Sequence, residues 1–462
     1  MTNDKLSTLS GESAKKAAIA SHLKDDVETA RQLYYKALVQ LPEDVEIWTN
    51  LGILFRSQKL IFQSFRAQKK AFDLDPEKPS VCLNFANILD DIGQHDNAIS
   101  LRKKLVTASP DNVEAHIMLI RSLRLARHLD AAEKAAAHAL QLFPDNPEIL
   151  FYKSTMLLAQ GRYTDGFLNY LWRFDTDQID VPTDKINRWK GQNLDGKRVL
   201  VLPEQGFGDT INFTRFLPHL KSLGATVHLL CRPPVLRLMQ RVKGADAVIT
   251  ETSPGAEYDY WTTALDIPVD YFLRNKRIPG PIRLTLPDAA KRRAQKFTRA
   301  HQSKLRVGCV WAGSEGNDRN TMRSFSHQNF LPLAKIPGIQ LFSLYKGPRL
   351  ESYFEDGTAA FVLDTASTDQ DLADCAATVA EMDLIITADT VTAHIAGSLG
   401  IEVWNLLHWE PFWLYGTEGD QTDWYTSMTL IRQSRANDWN DVFKVVERKL
   451  LERLAERSGG KT

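Results

Sequence analysis

Four prolines, Pro42, Pro76, Pro110 and Pro144, follow one another at intervals of 34 residues. Small residues keep the same beat at Ala30, Ser64, Ala98 and Ala132, and Ala37, Ala71, Leu105 and Ala139 keep it again. A fixed period of this length marks a repeat architecture, in which no unit can bury its apolar face alone. Each period has room for a helix, a turn and a second helix. A small residue at the start of the second helix lets the two approach closely, and proline follows that helix because it cannot continue it. Trp48, Leu51, Gly52 and Phe55 fall at apolar helical spacing in the first helix of one unit.

Period and pattern resemble tetratricopeptide repeats, with four clear units and a degenerate fifth ending near Phe174. The resemblance implies a curved all-α solenoid with a concave groove. In this register Asn50 and Asn84, again 34 apart, project from first helices toward the groove, with Asn87 one turn on. Similar asparagines in related solenoids hold peptide backbones through their amides. Solvated polar residues on a helix surface fit the same positions, and the two readings stand side by side.

At 462 residues the chain is too long for one core. Lys plus Arg and Asp plus Glu number 57 each, so no bulk attraction for nucleic acid or anionic membrane follows. The first residues, MTNDKLSTLSGES, lack the apolar core of a signal peptide, and nowhere do about 18 apolar residues run together. The expectation is a soluble, cytoplasmic protein with no membrane span and no nucleic-acid partner. Cys82, Cys231, Cys309 and Cys375 are scattered without a CxxC pair, which points to buried reduced thiols rather than a metal site or disulfide framework.

From Lys197 the texture changes. Short β-rich runs (RVLVLPE, TVHLLC, AVIT, YDYWTTA) alternate with helical segments, the pattern of a parallel sheet with crossover helices. Pro279-Gly280-Pro281 marks a turn. A second such unit runs through RVGCVWAG, QLFSLYK, FVLDT, DLIITAD, EVWNLL and MTLIRQ to a closing helix at about 439–457. The expected organisation is a solenoid over 1–174 and a linker over 175–196. Two Rossmann-like α/β lobes follow, an acceptor-side lobe over 197–286 and a donor-side lobe over 287–462, with a cleft between them. Ligands of open α/β sheets bind beyond the carboxyl ends of the strands.

Three loops stand at such ends. EQGFGDT, residues 204–210, offers Gln205 with Gly206 and Gly208, which permit a sharp turn and close ligand approach. It is no dinucleotide fingerprint, because Ile211 stands where a third glycine belongs. Asp209 and Thr210 suit a helix start. Asp209 is either a simple cap or a carboxylate that removes a proton from an attacking hydroxyl. ADTVTAHIAG, residues 388–397, places Asp389 and Thr390 as caps of a helix whose amides can receive a diphosphate, with Thr390, Thr392 and His394 adding hydrogen bonds. Capping plus a packed histidine is the plainer alternative. Lys346, in LYKGP, can neutralise phosphate charge at the same mouth, and Arg319 and Arg323, in GNDRNTMRS, are further phosphate partners. Trp311, Trp409 and Tyr425 fit either a stack on a nucleotide base or core packing.

Taken in order, these loops together with DWYTSMTLIRQ resemble bacterial tetratricopeptide proteins that carry a heptosyltransferase-like glycosyltransferase domain. With the repeats, the resemblance covers nearly the whole chain. It implies the GT-B architecture: metal-independent sugar transfer from a nucleotide donor held mainly by the C-terminal lobe. In lipopolysaccharide heptosyltransferases an Asp in a similar Gly-Asp loop is the proposed base, matched by Asp209. Their donor-phosphate motif is matched by Asp389, Thr390 and His394. A Leu-Tyr-Lys lysine of the eukaryotic O-linked N-acetylglucosamine transferase contacts the donor diphosphate, and Lys346 is similar to it. Flagellin glycosyltransferases share the layout. One departure is that the loop after RVGCVWAG lacks the His-Pro pair of the eukaryotic enzyme, so that enzyme's acceptor-side base does not carry over.

The resulting expectation is a glycosyltransferase that moves a sugar from a nucleotide-sugar to Ser or Thr of a protein, flagellin being one such acceptor, recruited by the repeats. No metal and no cofactor is expected, the nucleotide-sugar being a substrate. The DxD strings at Asp73–Asp75 and Asp175–Asp177 read as turn and linker residues. Two rivals remain: an inactive repeat scaffold, and a transferase acting on a glycolipid or polysaccharide.

Overall fold

The computed structural model describes residues 9–176, 186–253, 256–314 and 320–459. Two compact units divide the chain, Met1–Lys153 and Ser154–Thr462. The helices of the repeat keep the 34-residue beat without a slip. First helices begin at Gly11, Val45, Pro79, Val113 and Pro147 and second helices at Val27, Ile61, His95, Leu129 and Tyr163, forming α1 (Gly11–Leu23), α2 (Val27–Gln40), α3 (Val45–Ser57), α4 (Ile61–Leu74), α5 (Pro79–Asp91), α6 (His95–Ala108), α7 (Val113–Leu125), α8 (Leu129–Leu142), α9 (Pro147–Ala159) and α10 (Tyr163–Tyr170). Each beat proline directly follows the residue that caps a second helix, Leu41, Asp75, Ser109 or Phe143. The division between the units falls inside α9, upstream of the expected solenoid end at 174.

Packing in the first unit explains the small residues. Ala30, Ser64, Ala98 and Ala132 have no accessible surface, as do Ala37, Ala71 and Ala139, while Leu105 is only half-buried. Gly52 faces Gln68 so closely that a Cβ there would meet the Gln68 amide at 2.4 Å. That amide donates to the Thr49 carbonyl, and the Ser64 hydroxyl donates to the Gly52 carbonyl. One repeat later Arg102 takes the place of Gln68, and its buried guanidinium donates to Ser122 and Asn87. A further device sits six residues after three of the four prolines. Trp48 and Cys82 donate to the carbonyls of Pro42 and Pro76, and a ring nitrogen of His116 lies 2.9 Å from that of Pro110.

The tight turn inside each hairpin is also periodic. Asp25, Lys59, Gly93, Arg127 and Gly161, spaced by 34, all have positive φ. The residue after each sends its N–H back to the first helix, as Leu60 does to the Phe55 carbonyl. This is the Schellman ending, which favours glycine. Three of the five positions carry other residues, which is why this signal is hard to read in the sequence.

In the second unit the first sheet contains β1 (Asn187–Arg188), β2 (Arg198–Leu202), β3 (Thr226–Leu230), β4 (Ala247–Ile249) and β5 (Tyr260–Thr263), ordered β1-β5-β2-β3-β4 and parallel throughout. The second contains β6 (Leu305–Val310), β7 (Ile339–Ser343), β8 (Val362–Asp364), β9 (Leu384–Ala388), β10 (Val403–Leu407) and β11 (Met428–Arg432), ordered β11-β10-β9-β6-β7-β8 and again parallel. Ten of these strands lie in the ten β-rich runs of the sequence. The eleventh, β1, is two residues long and lies within the expected linker 175–196. Numbered from β6, the second sheet has the doubly wound order 3-2-1-4-5-6, and the first has its 3-2-1-4 core. Such sheets open a crevice where the order reverses, between β2 and β5 and between β6 and β9. β9 and β10 are buried along their whole length, as central parallel strands covered on both faces must be.

The helices that matter for the site are α11 (Phe207–Phe213), α12 (Leu217–Ser222), α13 (Pro233–Met239), α14 (Ile267–Arg274), α15 (Asp288–Thr298), α16 (Leu372–Val379), α17 (Val391–Leu399) and the closing α18 (Asn440–Gly459). α15 packs on α16 through Ala290, Ala294 and Ala377. All four cysteines are buried and free, as their scattered spacing suggested.

Candidate active site

The loop after β2 turns into α11. Gly206 is the residue before the helix, and Asp209, two places into it, accepts the Gly206 N–H on Oδ2 at 3.0 Å. The cap is therefore present but reversed: Asp209 is the acidic arm that reaches back, not the N-cap itself. Thr210 is buried and its hydroxyl donates to the Gly206 carbonyl. Burial pushes the Asp209 carboxyl up to about 7. The Gly206 bond opposes this, and the charges of Asp389 and Glu204 add to it.

The loop after β9 turns into α17. Thr390 occupies the N-cap position, yet neither it nor Asp389 caps the helix. The Thr390 hydroxyl pairs with that of Thr387 at 2.9 Å, and the Asp389 carboxylate accepts the Tyr415 hydroxyl at 3.0 Å. Both expected caps are thus corrected: Asp389 is claimed by a tyrosine hydroxyl that the tertiary fold brings 26 residues back along the chain, and Thr390 by the hydroxyl of Thr387 at the end of the preceding strand. The helix start is left without a side-chain cap, the condition under which its dipole and amides can receive an anion. Thr392 is turned into the core beside the Cys375 thiol.

His394, one turn into α17, joins the two loops. Its Nδ1 lies 3.2 Å from the Tyr425 hydroxyl and its Nε2 3.4 Å from that of Tyr415. Burial, helped by the charge of Arg215, lowers its pKa to about 3, so the imidazole is neutral. Against its ring lies Gly208: a Cβ there would stand 2.6 Å from His394 Cδ2. The loop carrying Asp209 and the helix start after Asp389 therefore touch. Arg215 reinforces the contact, being buried, bonded to the Asn212 and Trp424 carbonyls, and lying over the Tyr425 ring.

Cations gather on the β6 and β7 side. Gly313 lies so close to the Arg323 guanidinium that a Cβ would meet Nη2 at 2.4 Å, and the charge of Arg323 acts on Asp389. The buried Nε of Arg323 has no hydrogen-bond partner among the described residues. Asp389 itself is held above its ordinary range by burial, against the opposing effects of Arg323 and the Tyr415 bond. Lys346 stands at the end of β7, two strands from β9 and so about 10 Å across the sheet. Its ammonium donates to the Asp369 carbonyl. Arg319 lies outside the described residues. Trp311 and Tyr425 are core residues, nearly without accessible surface, whereas Trp409 is half-buried.

In the first unit the asparagines divide. Asn84 bonds to the Ser80 carbonyl of its own helix, Asn87 accepts from buried Arg102, and Asn50 is half-buried. Of the first DxD pair, Asp75 receives the Lys78 N–H as a turn residue does, whereas Asp73 lies in the last turn of α4, where it forms an ion pair with Lys69, and is not a turn residue. Asp177 lies outside the described residues. Among the described residues no group of His, Cys, Asp and Glu converges in a way that could hold a metal ion, and no helix is long and apolar enough to cross a membrane. Sequence reasoning missed Arg215, just beyond α11, and Tyr415, which reaches Asp389 from 26 residues away, and took Tyr425 as a base stack or a core residue without linking it to His394.

A tetratricopeptide repeat model matches residues 93–149. The chain is 25% identical over 448 residues to Protein FlbA of Caulobacter vibrioides, across 89% of this chain and 74% of that protein. Among solved structures it is similar to a glycosyl transferase family 9 protein of Veillonella parvula, at 12% identity and a TM-score of 0.44, over 56% of this chain and 97% of that one. It is also similar to MamA AMB-1, at 17% identity and a TM-score of 0.31, over 36% of this chain and 96% of that one. This chain carries tetratricopeptide repeats followed by an α/β region of two parallel sheets.

Proposed function

We propose that the α/β region is a GT-B glycosyltransferase that moves a sugar from a nucleotide-sugar to a Ser or Thr hydroxyl of a protein, with flagellin among the acceptors the repeats would recruit. The observation that carries the reading is the contact of Gly208 with His394, which sets a carboxyl titrating near neutrality beside an uncapped helix start. A base must be within reach of the proton it takes and have a pKa near working pH, and Asp209 meets the second condition.

In this mechanism the donor diphosphate lies on the amides at the start of α17 with Arg323, and Lys346 approaches as the leaving charge grows. Asp209 takes the acceptor proton while the hydroxyl oxygen bonds to the anomeric carbon. The bond from that carbon to the phosphate oxygen breaks, and the nucleoside diphosphate leaves with its electron pair. Neutral His394 positions the loop without adding charge. No metal ion or cofactor takes part in the proposal.

Incubation with UDP-, GDP-, CMP-, ADP- and dTDP-sugars should raise the melting temperature for one nucleotide class, since a ligand that binds only the native form stabilises it. Asp209→Asn should retain that shift and lose transfer. Wild-type turnover in the Asn variant would end the assignment of Asp209, and no shift with any donor would end the transferase reading.

A further inference from the structure

The segment leading out of the last repeat helix enters the β2/β5 crevice, the position where an open α/β sheet usually receives a ligand. Arg173 is almost wholly buried there. It forks onto Glu204, after β2, with two bonds of 2.7 Å, and donates to Asp266, after β5, at 2.6 Å. Arg188 of β1 holds the other Asp266 oxygen at 2.9 Å. Burial opposes the charge of Arg173, but the two carboxylates more than offset it and hold the guanidinium firmly protonated.

One helical turn earlier, the hydroxyl of buried Tyr170 accepts the Gln205 side-chain amide at 2.8 Å. Gln205 has φ 57, the left-handed region that a side chain disfavours. Such a conformation persists when its surroundings over-determine it. The next residue is Gly206, whose N–H is the one Asp209 holds. Tyr170 and Arg173 thus grip Gln205 and Glu204, side by side, immediately before the loop that carries the proposed base.

We propose that Tyr170 and Arg173 are positioning residues that fix the 204–209 loop, so that the last repeat helix is a working part of the active site. Tyr170 keeps Gln205 in its left-handed conformation and Arg173 fills the crevice that would otherwise let the loop collapse. The link to catalysis rests on the transferase reading above, whereas the link to loop order does not.

The test is hydrogen exchange on full-length Tyr170→Phe, which removes one hydroxyl and keeps the ring packed on Phe167 and Trp413. Loss of one net hydrogen bond predicts exchange about fivefold faster across 204–209, with β9 unchanged as the control. Arg173→Lys keeps the charge, loses the fork and should loosen the same segment. Under the transferase reading, Tyr170→Phe also lowers kcat while the donor KM stays constant. Wild-type exchange across 204–209 in both variants overturns the proposal. Faster loop exchange in a protein that turns over no nucleotide-sugar supports positioning and overturns the transferase reading instead.

Discussion

Gly208→Ala is the sharpest perturbation the site offers. Its new methyl would stand 2.6 Å from His394 Cδ2 and 3.1 Å from Nε2, against a comfortable carbon–carbon separation of about 3.5–4.0 Å. Either ring or loop must therefore yield by about 1 Å. The ring is poorly placed to do so, since both nitrogens face tyrosine hydroxyls and the residue is buried. Overpacking of this kind costs about 1–3 kcal/mol. In a unit this large that should lower the melting temperature by a few degrees. If the loop moves instead, a displacement of about 1 Å at a reacting carboxylate costs about 100-fold in turnover. A double-mutant cycle separates the contact from general damage: in a His394→Ala background, where the ring is gone, Gly208→Ala should add almost nothing. Full additivity of the two substitutions, or a Gly208→Ala protein with wild-type melting and turnover, would refute the contact.

The pH response follows from Asp209. Its carboxyl is raised from 3.8 to about 7 in the folded chain, so folding favours the proton. Its contribution to stability is complete below about pH 4 and is lost as pH rises through 7, a slope that Asp209→Asn should remove from denaturant titrations. The base is needed unprotonated, so turnover should climb with pH to a plateau above an inflection near 7. His394, with its pKa lowered to about 3, should add no inflection between about pH 5 and 9. In the repeats, Lys59→Gly should raise stability in urea melts by about 0.5–1 kcal/mol. Lys59 is exposed and has φ 59, where Gly93 and Gly161 already occupy the equivalent position.

What could be read from the chain was whatever repeats or alternates locally. The prolines at 42, 76, 110 and 144 mark where second helices end, because a residue without an N–H cannot continue a helix that has already begun. The β-rich runs set ten of eleven strands, because strands covered on both faces must be continuously apolar. Asp209 and His394 were legible because both sit where a strand runs into a helix.

What sequence alone could not decide is how groups distant in the chain compete. Asp389 looks like a cap until Tyr415, 26 residues on, offers a buried hydroxyl, and a bond sheltered from water outweighs one made at a helix surface. Asn87 looks like a groove residue until Arg102, 15 residues on, needs an acceptor. Arg173 looked like the tail of a degenerate repeat, yet two carboxylates 31 and 93 residues away draw it into a sheet crevice. A charge buried at such a place is tolerable only once its partners are there. That condition belongs to the folded molecule and leaves no trace in local spacing.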